Sequence, residues 1–337
     1  MKNAALLTLL FQPALLLIDF GHFQYNSVML GLFLARLGWE DTDDRIGFTL
    51  LAVTSLASGR DLLGAFFFTL SLGFKQMALY YAPAVGSYLL GKCLYLGLKD
   101  GYVSHFSSPP HPIPLTTDSA QLFVRLAVIT AGTFFLLFLP FLPPLAPISA
   151  ILDPITRIFP FNRGIFEDKV ANFWCASNVV LKWRLWASQI TLMRLSTLLT
   201  FIGFLGAAIA PISAWLRLRN QDRTTTRVEV VPSVMQTVLL LALLNSSMSF
   251  FLFSFQVHEK TILLPLLPLT LLLSTAPHDS STFKLGALAN NVGMFRCASV
   301  LNESRSDDKA FLTVCGLFCE RTGWLHSILS LRYCGTD

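Results

Sequence analysis

Cations recur in short polar stretches of an otherwise oily chain: His22 in one, Lys75 in a second, Arg163 and Lys169 in a third, His258 and Lys260 in a fourth. Arginine offers a forked set of donors and lysine a compact point charge, so such residues brought together suit a phosphate, with His258, Lys260, Arg163 and Lys75 as its ligands. Their neighbours add hydrogen-bonding chemistry. Gln24, Tyr25 and Asn26 follow His22, Gln76, Tyr80 and Tyr81 follow Lys75, and Glu167, Asp168 and Glu259 sit beside the cations of the last two stretches. Amides and phenols bond to hydroxyl groups, and the tyrosine rings stack on sugar faces. A phosphosugar pocket is the chemistry these types describe. Each stretch also has a plainer reading: an interfacial belt for the first, a snorkelling lysine for the second, a solvated loop for the third and a simple turn for the fourth.

What positions these residues is set by the solvent. Of 337 residues 53% are hydrophobic and only 13% charged, with a mean hydropathy of +0.59, far from the charge content of a soluble domain. A bilayer is the expected environment, and a spanning helix needs roughly 20 mainly apolar residues. Residues 126–152, 195–216 and 230–257 meet that without internal charge. Residues 3–18, 27–59, 62–74, 77–98 and 261–277 are weaker candidates, giving an all-α, polytopic bundle of about eight spans. The first of these does not read as a signal peptide, because Asp19 follows it without a small-residue cleavage pattern.

Basic residues orient the bundle. Arg217, Arg219, Arg223 and Arg227 outweigh Asp222 and Glu229 in one connection, which therefore stays cytoplasmic. His258 to Lys260 then falls on the opposite, lumenal face. The stretch from Arg163 to Lys169 joins it if residues 173–193 do not cross, and Lys182, Arg184 and Arg194 make that segment an interfacial helix. Counting further back, the proline-rich connection 99–125 is cytoplasmic, Lys75 and Gln76 form a lumenal hairpin tip, Arg60 and Asp61 return to the cytoplasm, and His22 to Asn26 come out lumenal. All four polar stretches land on one face.

Other chemistry is thin. Cys315, Cys319 and His326 match no strong zinc spacing, no glycine-rich phosphate loop or nucleic-acid motif occurs, and Cys93 and Cys175 read as buried thiols, so neither metal nor cofactor is expected.

The sequence resembles the endoplasmic reticulum glucosyltransferases that use dolichyl phosphate glucose. The resemblance rests on Gly21-His22-Phe23-Gln24-Tyr25-Asn26, Lys75-Gln76-Met77-Ala78-Leu79-Tyr80-Tyr81-Ala82-Pro83, Phe166-Glu167-Asp168-Lys169-Val170-Ala171-Asn172-Phe173-Trp174-Cys175 and Gln256-Val257-His258-Glu259-Lys260. The stretch around Asn172 is closer to the branch that adds the first glucose to lipid-linked Man9GlcNAc2 than to the sister branch that adds the second. The resemblance implies a helical membrane fold of the kind shared by transferases with polyprenyl-phosphate donors, sited in the endoplasmic reticulum membrane. It implies dolichyl phosphate glucose, dolichyl pyrophosphate-linked Man9GlcNAc2 and membrane lipid as partners. The same resemblance implies inversion, with a carboxylate taking the proton of the acceptor hydroxyl as the lipid phosphate leaves. In these relatives that carboxylate lies in a first lumenal loop, which this chain is expected to lack because it begins about one helix before the His22 motif; no residue here is assigned as the base. Phe20 stands where these enzymes have histidine, an acidic insert at about residues 35–50 interrupts an expected helix, and residues 278–337 are expected to be an atypical tail after a membrane region at 1–277, leaving the chain incomplete at both ends. The sister enzyme, or a non-catalytic polytopic protein such as a transporter, remains the alternative.

Overall fold

Inside a membrane a backbone has no water to bond, so long apolar runs must satisfy their own N–H and C=O groups by coiling. The computed structural model describes residues 48–104, 117–152, 170, 172–221, 231–255 and 257–276, with short pieces at 280, 283–284, 286–290 and 292. Its helices are α1 (Phe48–Ala57), α2 (Asp61–Phe74), α3 (Ala82–Ser104), α4 (Thr117–Phe138), α5 (Phe173–Leu181), α6 (Trp183–Trp186), α7 (Gln189–Gln221), α8 (Val231–Phe253) and α9 (Leu263–Thr275). Short 3-10 turns join them, and no strand occurs among the described residues.

Side-chain contacts fix the direction of each helix. Phe48 meets Phe74, ring centroids 6.2 Å apart, so α1 starts where α2 ends. Gly73 faces Leu137, which brings the end of α4 to the same place. At the other end, Gln236 Nε2 donates to the Ala57 carbonyl at 3.1 Å, so α8 starts where α1 ends. Ser196, near the start of α7, donates to Phe253 at the end of α8 at 2.7 Å. Thus α1, α3, α7 and α9 run one way and α2, α4 and α8 the other, between a tip end and a base end. The 3-10 turn Gln76–Tyr81, the short helices α5 and α6, and the turn Glu259–Ile262 all belong to the tip end.

Three helical stretches among the described residues are long and apolar enough to cross a membrane, Ala120–Phe141, Gln189–Leu218 and Val234–Phe253, with shorter apolar helices at Phe48–Ala57, Asp61–Phe74 and Leu263–Leu273. That is fewer than the hydropathy count, part of which lies at 3–18 and 27–47, outside the described residues. The run at 126–152 is displaced: its helix starts at Thr117 and stops at Phe138, because Pro140, Pro143, Pro144 and Pro147 break the remainder into 3-10 turns and bends. The segment 173–193 is not one interfacial helix but α5, α6 and the first residues of α7, split where Lys182 takes a left-handed conformation at φ 46°. Both the end of α4 and the start of α7 lie at the tip end.

The core joins α1, α2, α3, α7, α8 and α9 through Leu56, Phe68, Tyr81, Tyr88, Trp215, Leu239, Leu243 and Leu264, all nearly or fully buried. Without a hydrophobic difference between lipid and protein, close backbone approach is what holds membrane helices together. Gly203 supplies it between α7 and α8, where an added Cβ would stand 3.0 Å from Ser249. Near the base, Lys92 on α3 binds Asp61 at the start of α2 with Nζ to Oδ2 at 2.6 Å, and its ammonium lies 5.8 Å from the centre of the Trp215 ring on α7.

Candidate functional site

The tip end gathers residues from three separate stretches of sequence. Lys75 closes α2 with an extended backbone, and the chain turns back at once through Gln76–Tyr81. Within that turn Lys75 is half-buried, Gln76 exposed, Tyr80 half-buried and Tyr81 fully buried. Tyr80 stacks on Phe250 of α8 with ring centroids 4.7 Å apart and 13° between planes, and Phe250 stacks in turn on Phe204 of α7. The Tyr80 carbonyl accepts from Ser246 of α8 at 2.5 Å, and its hydroxyl bonds the side chain of Ser254. The turn is thereby fastened to the last three turns of α8.

The His258 stretch follows directly. His258 is exposed, and its carbonyl accepts both the N–H of Thr261, at 3.0 Å, and the Thr261 hydroxyl. Glu259 and Lys260 lie in the 3-10 turn Glu259–Ile262, which leads into α9. Pro268 in α9 has no N–H, so the carbonyl four residues before it, Leu264, loses its helical donor. Tyr81 fills the gap: its hydroxyl donates to the Leu264 carbonyl at 2.5 Å. A phenol read from sequence as a sugar contact is thus placed at the floor of the site, with its hydroxyl committed to backbone.

The third stretch arrives through the residues that follow Lys169. Val170 packs against Phe251 and Val257. The Asn172 side chain caps α5 by accepting the Cys175 N–H at 2.9 Å, and Trp174, fully buried, donates its indole N–H to the Phe253 carbonyl at 2.9 Å. Phe253 is the last residue of α8, and its carbonyl would otherwise be one of the orphans that every helix leaves at its end. Ser196 donates to the same oxygen.

So the structure brings Lys75, Gln76, Tyr80 and Tyr81 together with the His258 turn and the segment after Lys169 at one end of the bundle. Arg163, Glu167 and Asp168, and His22, Gln24, Tyr25 and Asn26, lie outside the described residues, as do the side chains of Glu259 and Lys260. Sequence reasoning passed over Ser246 and Thr261 and gave no role to Ser254 or Trp174, and these four hold the site's frame. Hydroxyl residues bonding backbone carbonyls in apolar helices look, in a sequence, like neutral filler. Among the described residues no group of His, Cys, Asp and Glu could hold a metal ion.

Comparison with known proteins adds to this geometry. The chain is 40% identical over 297 residues to the dolichyl pyrophosphate Man9GlcNAc2 alpha-1,3-glucosyltransferase of Saccharomyces cerevisiae, covering 87% of this chain and 44% of that protein. With the protein of the same name from Rattus norvegicus it shares 35% identity over 317 residues, 94% of this chain and 52% of the relative. The chain spans about half the length of these relatives. The sequence model of the ALG6, ALG8 glycosyltransferase family matches residues 1–42 and 45–318, omitting only two residues of the acidic stretch and continuing well beyond α9. With nearly all of its sequence inside that match, the chain belongs to the ALG6, ALG8 glycosyltransferase family.

Proposed function

We propose that this protein acts in the endoplasmic reticulum membrane in transferring the first α-1,3-linked glucose from dolichyl phosphate glucose to dolichyl pyrophosphate-linked Man9GlcNAc2. The observation that carries this reading is the match over most of the chain, at 35–40% identity, to relatives named dolichyl pyrophosphate Man9GlcNAc2 alpha-1,3-glucosyltransferase. The tip end is the lumenal face, and Lys75 and His258 meet the donor phosphate there, joined by Arg163 and Lys260. Opposite charge at the leaving phosphate stabilises the negative charge it gains as the glycosidic bond to it breaks. Gln76 is exposed on the same face and suits the hydroxyls of a sugar, while Tyr80, stacked on Phe250 and bonded to Ser254, backs it. His22, Gln24, Tyr25, Asn26, Glu167, Asp168 and Glu259 complete the proposed site.

The test is direct. Microsomes from cells lacking the first glucosyl transfer, supplied with this protein and dolichyl phosphate glucose, gain one glucose on lipid-linked Man9GlcNAc2, and His258→Ala lowers that yield about tenfold or more, the scale of a lost charge-assisted contact. Persistence of unglucosylated Man9GlcNAc2 overturns the reading; glucose appearing only on an acceptor that already carries one assigns the protein to the second transfer instead.

A further inference from the structure

Two helices of the core contain an internal proline, Pro211 in α7 and Pro268 in α9. Each removes the donor for the carbonyl four residues earlier, Ala207 and Leu264. Both carbonyls are met by hydroxyls from one strip of chain: Ser87 donates to Ala207 at 3.2 Å and Tyr81 to Leu264 at 2.5 Å. The donors lie six residues apart, at the end of the Gln76–Tyr81 turn and in the second turn of α3. Ser87 also bonds Ala84 within its own helix, at 3.0 Å, so its hydroxyl is shared, whereas Tyr81 shows only the one bond and is 1% exposed.

We infer that Tyr81 is a positioning residue of the candidate site: through the carbonyl that Pro268 frees, it fixes the His258 turn against the Lys75 turn. The chain of contacts is short. Leu264 is the second residue of α9, and the segment before it is tied to His258 by the Thr261 N–H and hydroxyl, with Thr261 fully buried. On its other side Tyr81 ends the turn that Lys75 begins, and the neighbouring Tyr80 fastens that turn to α8 through Ser246 and Phe250. Moving Leu264 therefore moves His258 relative to Lys75. A buried carbonyl without a donor is strongly disfavoured, so the latch is held by the cost of leaving Leu264 unbonded.

This inference rests on the proposed donor site, and its test separates the two. In Tyr81→Phe the ring stays and only the hydroxyl goes; in Tyr81→Phe with Pro268→Ala the backbone N–H returns and can serve Leu264 itself. Two readouts are taken on the full chain in lipid nanodiscs. The first is the distance distribution between spin labels on cysteines placed at Gln76 and His258, which requires no activity. Tyr81→Phe broadens or shifts it, and the added Pro268→Ala restores it. The second is transfer kinetics in the unlabelled protein, where Tyr81→Phe raises KM for dolichyl phosphate glucose about tenfold and lowers kcat as well, because a misplaced phosphate contact both weakens donor binding and stabilises less of the charge the leaving phosphate gains. The double variant returns KM toward the starting value. An unchanged distance in Tyr81→Phe overturns the inference, as does a change that Pro268→Ala leaves uncorrected, which places the hydroxyl's role elsewhere. Absence of transfer by the unmutated protein sinks the functional reading alone, since the distance measurement still decides the latch.

Discussion

At the scale of single residues, the described part of the tip end is held by side chains that satisfy backbone carbonyls. The Phe253 oxygen, at the end of α8, accepts Trp174 Nε1 at 2.9 Å and Ser196 Oγ at 2.7 Å. Either donor alone leaves the oxygen bonded, so Trp174→Phe and Ser196→Ala should each lower unfolding free energy by about 1 kcal/mol, the net worth of one hydrogen bond. The pair together strands the carbonyl and should cost about 1 kcal/mol more than the sum, a coupling measurable by a double-mutant cycle on thermal unfolding in detergent. Strict additivity would show that the two bonds do not share one acceptor's fate. Little of this was legible in the sequence. Trp174 was visible as part of a family-like motif, but Ser196 is one serine among many, and nothing in its neighbours marks a partner 57 positions away.

Elements reveal where sequence patterning succeeds and where it fails. Hydropathy found α7 and α8 because charge-free apolar runs have no other satisfied conformation in lipid. It misplaced α4, since composition does not distinguish an apolar helix from an apolar run of prolines, as residues 139–152 show. In the segment after Asn172, charge suggested one amphipathic helix, whereas the chain reverses at Lys182, whose φ of 46° and ψ of 52° end α5 with its N–H on the Asn178 carbonyl. Left-handed geometry is strained for any residue bearing a Cβ and most for β-branched ones. Lys182→Gly should therefore raise stability by about 0.5–1 kcal/mol, and Lys182→Val should lower it by at least as much. The order Gly, Lys, Val in melting temperature checks the assignment; Val equal to Gly would mean that the chain does not reverse there. Of the four polar stretches expected on one face, the described residues hold the Lys75 stretch, the His258 turn and the chain after Lys169, and these share the tip end. Alternation of crossing direction is a counting argument, and it survives errors of a turn at either end of a helix so long as no span is gained or lost.

Over the whole molecule, the two ends of the bundle solve different problems. The tip end exposes polar groups such as His258 and Gln76, while the base end seals a charge inside. Asp61 is 8% exposed and Lys92 17%, their 2.6 Å contact joins α2 to α3, and the ammonium also faces the Trp215 ring on α7. Tyr88 and Tyr95 pack on the same indole, and Gly91 allows α3 to approach α7 so closely that an added Cβ would stand 3.0 Å from the Ile212 Cα. This contact lies at the far end of the two arms whose junction carries Lys75 to Tyr81, so it sets their spacing. A buried pair is costly to break and cheap to replace, because the desolvation that opposes its formation is regained when both charges go. Lys92→Met, which strands the Asp61 carboxylate, should therefore lose about 3–5 kcal/mol, whereas Asp61→Leu combined with Lys92→Met should lie within about 1 kcal/mol of the unmutated protein or above it. Thermal unfolding of the three forms in one detergent makes the comparison. Asp61 Oδ1 and Trp215 Nε1 have no hydrogen-bond partner among the described residues, which favours the apolar double variant further, since it removes an unsatisfied acceptor. A double variant as unstable as Lys92→Met would show that this corner depends on the charges themselves.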